Sequence, residues 1–411
     1  TVNRSGERIP GVNMTDKAAV KAAFSEFAAN LYDKVIEEQG GERTKQGDTN
    51  CVGKLENVFL SPLSIYLASM MCMAGADGET LQEMHRTLRI PSHVPAEDAH
   101  MLIGPVFLKY FETPKEIEIS LANRLFLLKN AKINEKFSQT LCKQYRAATD
   151  VISSLGNVEA QRKHMNHWVA ENTQNKVVDL IPPGGVSANM VLAIINALYF
   201  RGSWEHAFIK EATTQEDFHC LDGSTKKIQM MYSEATYQMA ELSEYEAQAI
   251  KLPFRGTNWS MLIILPNDVK GLPRLLSHLR QPGKLSAVLA MDFDKAKCEL
   301  HMPRFTLAAK HPMDVKKLLE ACGMRMVFTS SADLSKMCST HNLFISDALH
   351  KAVLEVDEEG ATAAAATGMM IAVICYQPSP VIRVDHPFFV ALICDSNVPV
   401  FVGHVLKPEE S

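Results

Sequence analysis

The chain has 411 residues, with 42 Lys and Arg against 47 Asp and Glu, a formal net charge of −5, 46% hydrophobic and 22% charged residues. This is the composition of an ordinary globular protein able to bury a large core, and it excludes disordered, collagenous and disulfide-scaffold classes. The slightly acidic balance argues against a bulk polyanion binder, so nucleic acid is not an expected partner.

Residues 1–16 read as a polar leader, and the folded part is expected over 17–411. Lys17–Glu38 places Val20, Phe24, Phe27, Ala28, Leu31 and Val35 at helical spacing. Gln39–Glu56 lacks periodicity and is rich in Gly and polar residues, which predicts an inserted surface loop. A short strand follows at Asn57–Leu60, then a helix capped by Ser61 and opened by Pro62, then another at Gly78–Leu88. Ala96–Glu112, where a heparin-binding stripe could lie, has Lys109 as its only Lys or Arg, so heparin binding through it is not expected. Ile117–Leu128 alternates as a strand, Glu159–Leu180 reads as a helix stopped by Pro182 and Pro183, and Val191–Phe200 suits a buried strand. After Gly202 strands dominate, at Thr225–Met231, Gln248–Leu252, Met261–Leu265 and Lys297–Met302, with helices at Leu272–Leu279 and Met313–Ala321. No linker or internal repeat divides the chain, so one large α+β domain is predicted rather than two in tandem.

The motifs of enzymes are missing: there is no G-x-S-x-G elbow, H-E-x-x-H helix, Walker A loop or G-x-G-x-x-G fingerprint. His164 and His167 share a helix face, but Arg162 and Lys163 beside them would repel a cation, so a solvated face is the better reading and no metal is expected. Nine cysteines without a C-x-x-C pair point to mostly buried free thiols, and Cys72, Cys142 and Cys322 read as core residues rather than nucleophiles. The longest apolar stretches, Met70–Ala74 and Met369–Tyr376, fall far short of the ~20 residues of a membrane span. Glycosylation sequons occur at Asn3, Asn13 and Asn258 and would matter in a secreted protein.

Residues 355–382 stand apart. An acidic patch (Glu355, Asp357, Glu358, Glu359) gives way to Gly360, then Ala361, Thr362, Ala363, Ala364, Ala365, Ala366 and Thr367, then Gly368 and a mostly apolar run. A helix is the first reading by propensity, but the stretch between the two glycines is well below the ~12–15 residues a marginal isolated helix needs. As a strand entering an existing sheet, it would point Ala361, Ala363, Ala365 and Thr367 one way with no charge to bury. Gly360 supplies a hinge, while Pro378 and Pro380 keep the apolar run from pairing as an ordinary strand.

Here the sequence resembles the serpins, over Ala18 to Pro408. Asn57–Ile65 (NVFLSPLSI), Asn196–Trp204 (NALYFRGSW), His350–Gly360 (HKAVLEVDEEG), Asp385–Phe389 (DHPFF) and Phe401–Gly403 carry the resemblance. It implies a single-domain fold of three β-sheets and about nine helices with an exposed reactive-centre loop. It also implies a protease inhibitor rather than an enzyme, working as a monomer without cofactor. The target protease cleaves the loop, forms an acyl-enzyme and is carried away as the loop inserts into the main sheet. The ~14 residues from Ala361 to Ile374 would span ~46 Å as a strand. Counting from the hinge residue Glu358 puts the scissile bond at Ile374–Cys375, and counting back from Pro387 puts it at Tyr376–Gln377. No Lys or Arg lies between Ala352 and Ile382, so elastase-like or chymotrypsin-like serine proteases are the expected targets, with cysteine proteases as an alternative.

By the same resemblance, Ser61, Ser64, Asn196 and His350 form the polar cluster beneath the point where the sheet parts, and Trp204 with an Arg304–Glu358 ion pair marks where the loop goes in. Plain structural support is the competing reading for each, and a weak surface pair for Arg304–Glu358. The polar leader and Lys407–Ser411 resemble extracellular members, which points to secretion. A non-inhibitory serpin acting as carrier, chaperone or storage protein would be favoured by charged or Pro residues at Ala361–Thr367, and there are none. A hydrolase would need a nucleophile–base spacing that is not found.

Overall fold

A computed structural model describes residues 14–39, 55–112, 116–309, 311–339, 343–359, 379–395 and 397–409. Nine α-helices form among them: α1 Met14–Glu38, α2 Pro62–Met73, α3 Gly78–Thr87, α4 Ala96–Leu108, α5 Glu135–Thr140, α6 Val158–Asn172, α7 Leu272–Leu279, α8 Lys284–Leu289 and α9 Val315–Cys322. The strands are β1 Val58–Leu60, β2 Ile117–Leu127, β3 Thr149–Val151, β4 Leu192–Gly202, β5 Thr214–His219, β6 Thr225–Leu242, β7 Ala247–Pro253, β8 Trp259–Pro266, β9 Asp294–Pro303, β10 Phe305–Ala308, β11 Met313–Asp314, β12 Ile345–Val356, β13 Val381–Arg383, β14 Phe388–Cys394 and β15 Val398–Val405.

Local chemistry explains where the helices begin and end. The Ser61 hydroxyl oxygen accepts the Ser64 N–H at 3.2 Å and caps α2, whose residues are all buried. Asn157 caps α6 by accepting the Ala160 N–H at 2.9 Å. The helix expected over Glu159–Leu180 stops at Asn172, well before the prolines. Gln174 and Asn175 turn left-handed, and the Thr173 hydroxyl accepts the Val177 N–H at 3.1 Å, closing the chain into a turn. The helix expected from Met313 starts at Val315, because Asp314 caps the Lys317 N–H while Met313 and Asp314 pair with β12. Ala96–Glu112 folds as α4 followed by a 3-10 turn at Lys109–Phe111.

Two hydrogen-bonded sheets result among the described residues. One runs β10–β12–β4–β2–β3, with β11 pairing to β12. The other runs β1–β15–β14–β8–β7–β6–β9–β13, with β5 on β6. Two of the three expected sheets merge because the 18-residue β6 pairs with β9 over Met230–Met239 and passes on to β7 over Gln238–Leu242. The fold is of the α+β class.

The first sheet is covered on both faces, which explains why β4 is buried along nearly its whole length and apolar but for Asn196 and Arg201. On one face Phe126, Ala197, Tyr199 and Val353 pack with Met165 and Val169 of α6. On the other, Ile194, Leu198 and Phe200 join the main core with α1, α2 and α9. Cys72, Cys220, Cys298 and Cys394 are buried free thiols, Cys338 is buried, and Cys322 is half-buried. Cys142 departs from the expected core role: it is exposed, because Leu141 and Tyr145 take the inward positions of its turn. Cys51 and Cys375 lie outside the described residues.

Candidate functional site

Strands β4 and β12 run parallel and pair directly over nine register positions, from Leu192–Ile345 to Phe200–Leu354. The chain leaves the upper end of β12 toward the hinge and returns at β13 in the other sheet. The reactive-bond candidates Ile374, Cys375, Tyr376 and Gln377 lie outside the described residues, as do Gly360 and Ala361–Thr367 of the hinge, and Asn3 and Asn13. What the structure describes is the chain on both sides of residues 360–378.

Midway along the seam, His350 faces Asn196 in register. The Ser61 N–H donates to His350 Nε2 at 3.0 Å, which puts the imidazole proton on Nδ1, where it is donated to Asn196 Oδ1. That same Oδ1 accepts from the Ser64 hydroxyl at 2.9 Å, and the Asn196 amide donates to Asn123 Oδ1. The Ser61 hydroxyl donates to the Val400 carbonyl at 2.7 Å, tying the cluster to the second sheet. Ser61, Ser64, Asn196 and His350 are all buried. Burial pushes the His350 imidazole down to about 3, so it is neutral throughout the physiological range. A second ring proton would turn Nε2 into a donor facing the Ser61 N–H.

At the upper end, each carboxylate of the acidic run has a cation. Glu355 pairs with Lys176 at 3.0 Å, Asp357 with Arg201 at 2.6 Å, Glu358 with Arg304 at 3.6 Å, and Glu359 with Lys210 at 3.9 Å. Glu358 is buried, its side chain 7% exposed against 40% for Arg304, so the pair is not a plain surface contact. The Thr213 hydroxyl donates to Glu358 Oε1 at 2.8 Å, and the Phe208 N–H to the Glu358 carbonyl at 3.0 Å. Trp204 donates its indole N–H to the Asp357 carbonyl at 2.8 Å and stacks on Phe254, with centroids 4.6 Å apart. The last residues before the hinge are thus held by backbone and side chain together.

All six residues expected around the seam therefore sit in these two clusters. Asn123, Thr213 and Phe208 were not anticipated. Asn123 left a signal, since it interrupts a face of β2 otherwise made by Ile117, Ile119, Leu121, Leu125 and Leu127. Thr213 left none. His167 pairs with Glu171 at 3.1 Å on the solvated helix face expected of it, whereas His164 is half-buried, pairs with Asp150 at 2.9 Å and packs edge-on against Phe126. Among the described residues no group of His, Cys, Asp or Glu could hold a metal ion, and no helix is long and apolar enough to cross a membrane. Lys109 is spent on Asp395 at 2.9 Å, which Lys21 and the Tyr110 hydroxyl also contact. Asn258 is exposed between β7 and β8.

The family model described as Serpin (serine protease inhibitor) matches residues 22–408. Iris from Ixodes ricinus is 35% identical over 392 residues, covering 95% of this chain and 99% of that protein. Among solved structures, Serpin48 of the insect Tenebrio molitor, described as a highly specific serpin, superposes with a TM-score of 0.82 at 26% identity, covering 96% of this chain and all of that one. Human thyroxine-binding globulin in complex with its hormone shares the fold, with a TM-score of 0.80 at 23% identity over 96% of this chain and all of that one.

Proposed function

The chain belongs to the serpin family, whose members are generally protease inhibitors rather than enzymes, and from that premise we propose that it traps a serine protease of elastase-like or chymotrypsin-like class as a suicide substrate. The protease's serine oxygen attacks the carbonyl carbon of Ile374 or, in the alternative register, Tyr376. The bond to Cys375 or Gln377 breaks, the amine leaves with a proton, and an ester joins the two proteins. The freed segment, led by Gly360 and Ala361, then enters between β4 and β12 and carries the protease with it.

The observation that carries this reading is the direct parallel pairing of β4 with β12 beside a hinge of small neutral residues. A segment turning back from the top of β12 runs antiparallel to both strands. Its insertion replaces one parallel ladder with two antiparallel ones, which are slightly more stable per residue. Over nine register positions the surplus is about one ladder of hydrogen bonds. At ~0.5–1.5 kcal/mol net each, this gives on the order of 10 kcal/mol. Uncut, the tethered loop cannot realise that gain. His350 and Asn196, which face each other in the seam, must separate first, and their bonds hold the uncut form in place.

Target choice follows from the loop's chemistry. With no Lys or Arg between Ala352 and Ile382, a pocket built on a buried carboxylate finds no partner, whereas an apolar pocket accepts Ile374 or Tyr376. The reading includes secretion, with a glycan on exposed Asn258.

The test is incubation with pancreatic elastase, chymotrypsin, trypsin and a cathepsin. We expect SDS-resistant adducts with the first two and a released C-terminal fragment beginning at Cys375 or Gln377. Adducts with the cathepsin alone would move the target to cysteine proteases, adducts with trypsin alone would overturn the loop reading, and cleavage without any adduct would make the protein a non-inhibitory serpin.

A further inference from the structure

A second bridge crosses the seam above the His350–Asn196 cluster, and its third member comes from outside the sheet. The Tyr199 hydroxyl on β4 donates to Glu355 Oε2 on β12 at 3.0 Å. Lys176, in the 173–191 segment that joins α6 to β4, donates to Glu355 Oε1 at 3.0 Å and places its ammonium 4.9 Å from the centre of the Tyr199 ring. One lysine thus touches the side chains of both strands that a new strand must part. Its backbone is unusual: Gln174, Asn175 and Asp179 all take left-handed conformations, with φ of 51°, 60° and 48°. Non-glycine residues rarely do so, and three within six positions mark a segment held in shape by its contacts. Thr173 and Val177 are the buried anchors on either side of Lys176.

We propose that Lys176, Glu355 and Tyr199 form a clasp that keeps the upper seam shut and sets the rate at which a strand can enter. This inference rests on the insertion reading above. Tyr199 and Glu355 lie on the same face, since Val353 is the register partner of Tyr199 and Glu355 follows it by two. A strand inserted between β4 and β12 separates them by two strand spacings, ~9.6 Å, beyond the reach of their hydrogen bond. Lys176 can then satisfy at most one of the two, so the clasp opens before or as the strand enters. Because Lys176 comes from a connecting segment outside the sheet, it can let go without unfolding the sheet.

The test uses the intact protein and a fluorescent synthetic peptide with the sequence of residues 361–374, whose annealing into the sheet is followed by native gel and fluorescence. Tyr199→Phe keeps the ring in its apolar setting and removes only the hydroxyl, and Lys176→Met keeps much of the stem. Each variant should anneal the peptide ~3–10-fold faster than wild type. The double variant should be less than multiplicatively faster, because both act through Glu355. Lys297→Met, which removes an ion pair to Glu234 on the other sheet, should anneal at the wild-type rate. Wild-type rates in both clasp variants, or an equal acceleration by Lys297→Met, would overturn the clasp. The insertion reading has its own readout: elastase-cleaved wild-type protein must melt well above the intact form. If it does not, that reading falls and the clasp with it.

Discussion

Replacing Glu358 with lysine should destabilise the uncleaved protein through one identifiable pocket. The carboxylate is buried, with Arg304 Nη1 at 3.6 Å and the Thr213 hydroxyl at 2.8 Å. A lysine ammonium held there meets the Arg304 guanidinium at about that separation. Two like charges 3.6 Å apart repel by ~4–5 kcal/mol at an effective dielectric near 20. Losing the acceptor for Thr213 adds ~1 kcal/mol, and swinging the new side chain outward recovers part of the total, leaving ~3–5 kcal/mol. With ~2.1 cal/mol/K of unfolding entropy per residue, a chain of 411 residues loses ~4–6 °C in Tm. Glu358→Gln keeps the shape and the Thr213 bond and should lose only ~1–2 °C. The decisive arm is the charge swap: Glu358→Lys combined with Arg304→Glu restores an opposite pair and should recover at least half of the loss. Scanning fluorimetry of intact samples gives Tm, and size exclusion shows whether the loosened hinge leads to self-association. A Glu358→Lys protein melting within ~1 °C of wild type, or a swap no better than the single variant, would refute the pocket as described.

The neutral buried histidines make stability depend on pH. Burial lowers His350 to about 3 and His404 and His100 to about 4. The unfolded chain, titrating near ~6.5, therefore binds more protons than the native state below that pH, and stability falls as pH drops from ~6.5 toward ~4. Urea midpoints should be flat above pH ~7 and fall steadily below ~6.5, and a midpoint unchanged between pH ~7 and ~5 would contradict this. Gly403→Ala should be poorly tolerated, since its Cβ would collide with the Val58 carbonyl oxygen, a backbone atom of the paired strand β1. A loss of at least ~2–3 kcal/mol should appear in Tm and yield, whereas a wild-type melt would show that β1 and β15 can separate freely. Asn258→Gln in protein secreted from a eukaryotic host should abolish one glycosidase-sensitive mobility shift on a gel, and an unchanged shift would place the glycan elsewhere.

Much of the fold was legible because its periods are strong. Val20 through Val35 mark α1 at helical spacing, and β4 reads as a mostly apolar run, interrupted by Asn196, because both faces of its sheet are covered. Where the reading slipped, a local hydrogen bond had outweighed periodicity. The Thr173 hydroxyl ends α6 eight residues before the helix was expected to stop, and Asp314 caps α9 two residues into its expected span. Cys142 looked like core because it falls in a helical stretch, but in the π-turn Leu141 and Tyr145 take the inward positions and leave it exposed.

Amino-acid order alone determined the neutrality of the hinge, the absence of basic residues between Ala352 and Ile382, and the capped and periodic segments that build the sheets. Those properties depend on side-chain identity and near neighbours. Only the tertiary structure decided that Thr213 donates to Glu358 across 145 positions, that Lys176 reaches both Tyr199 and Glu355, and that β6 ties two sheets into one. Partners so far apart meet because strand register and helix packing bring them within ~3 Å, and no local pattern encodes that distance.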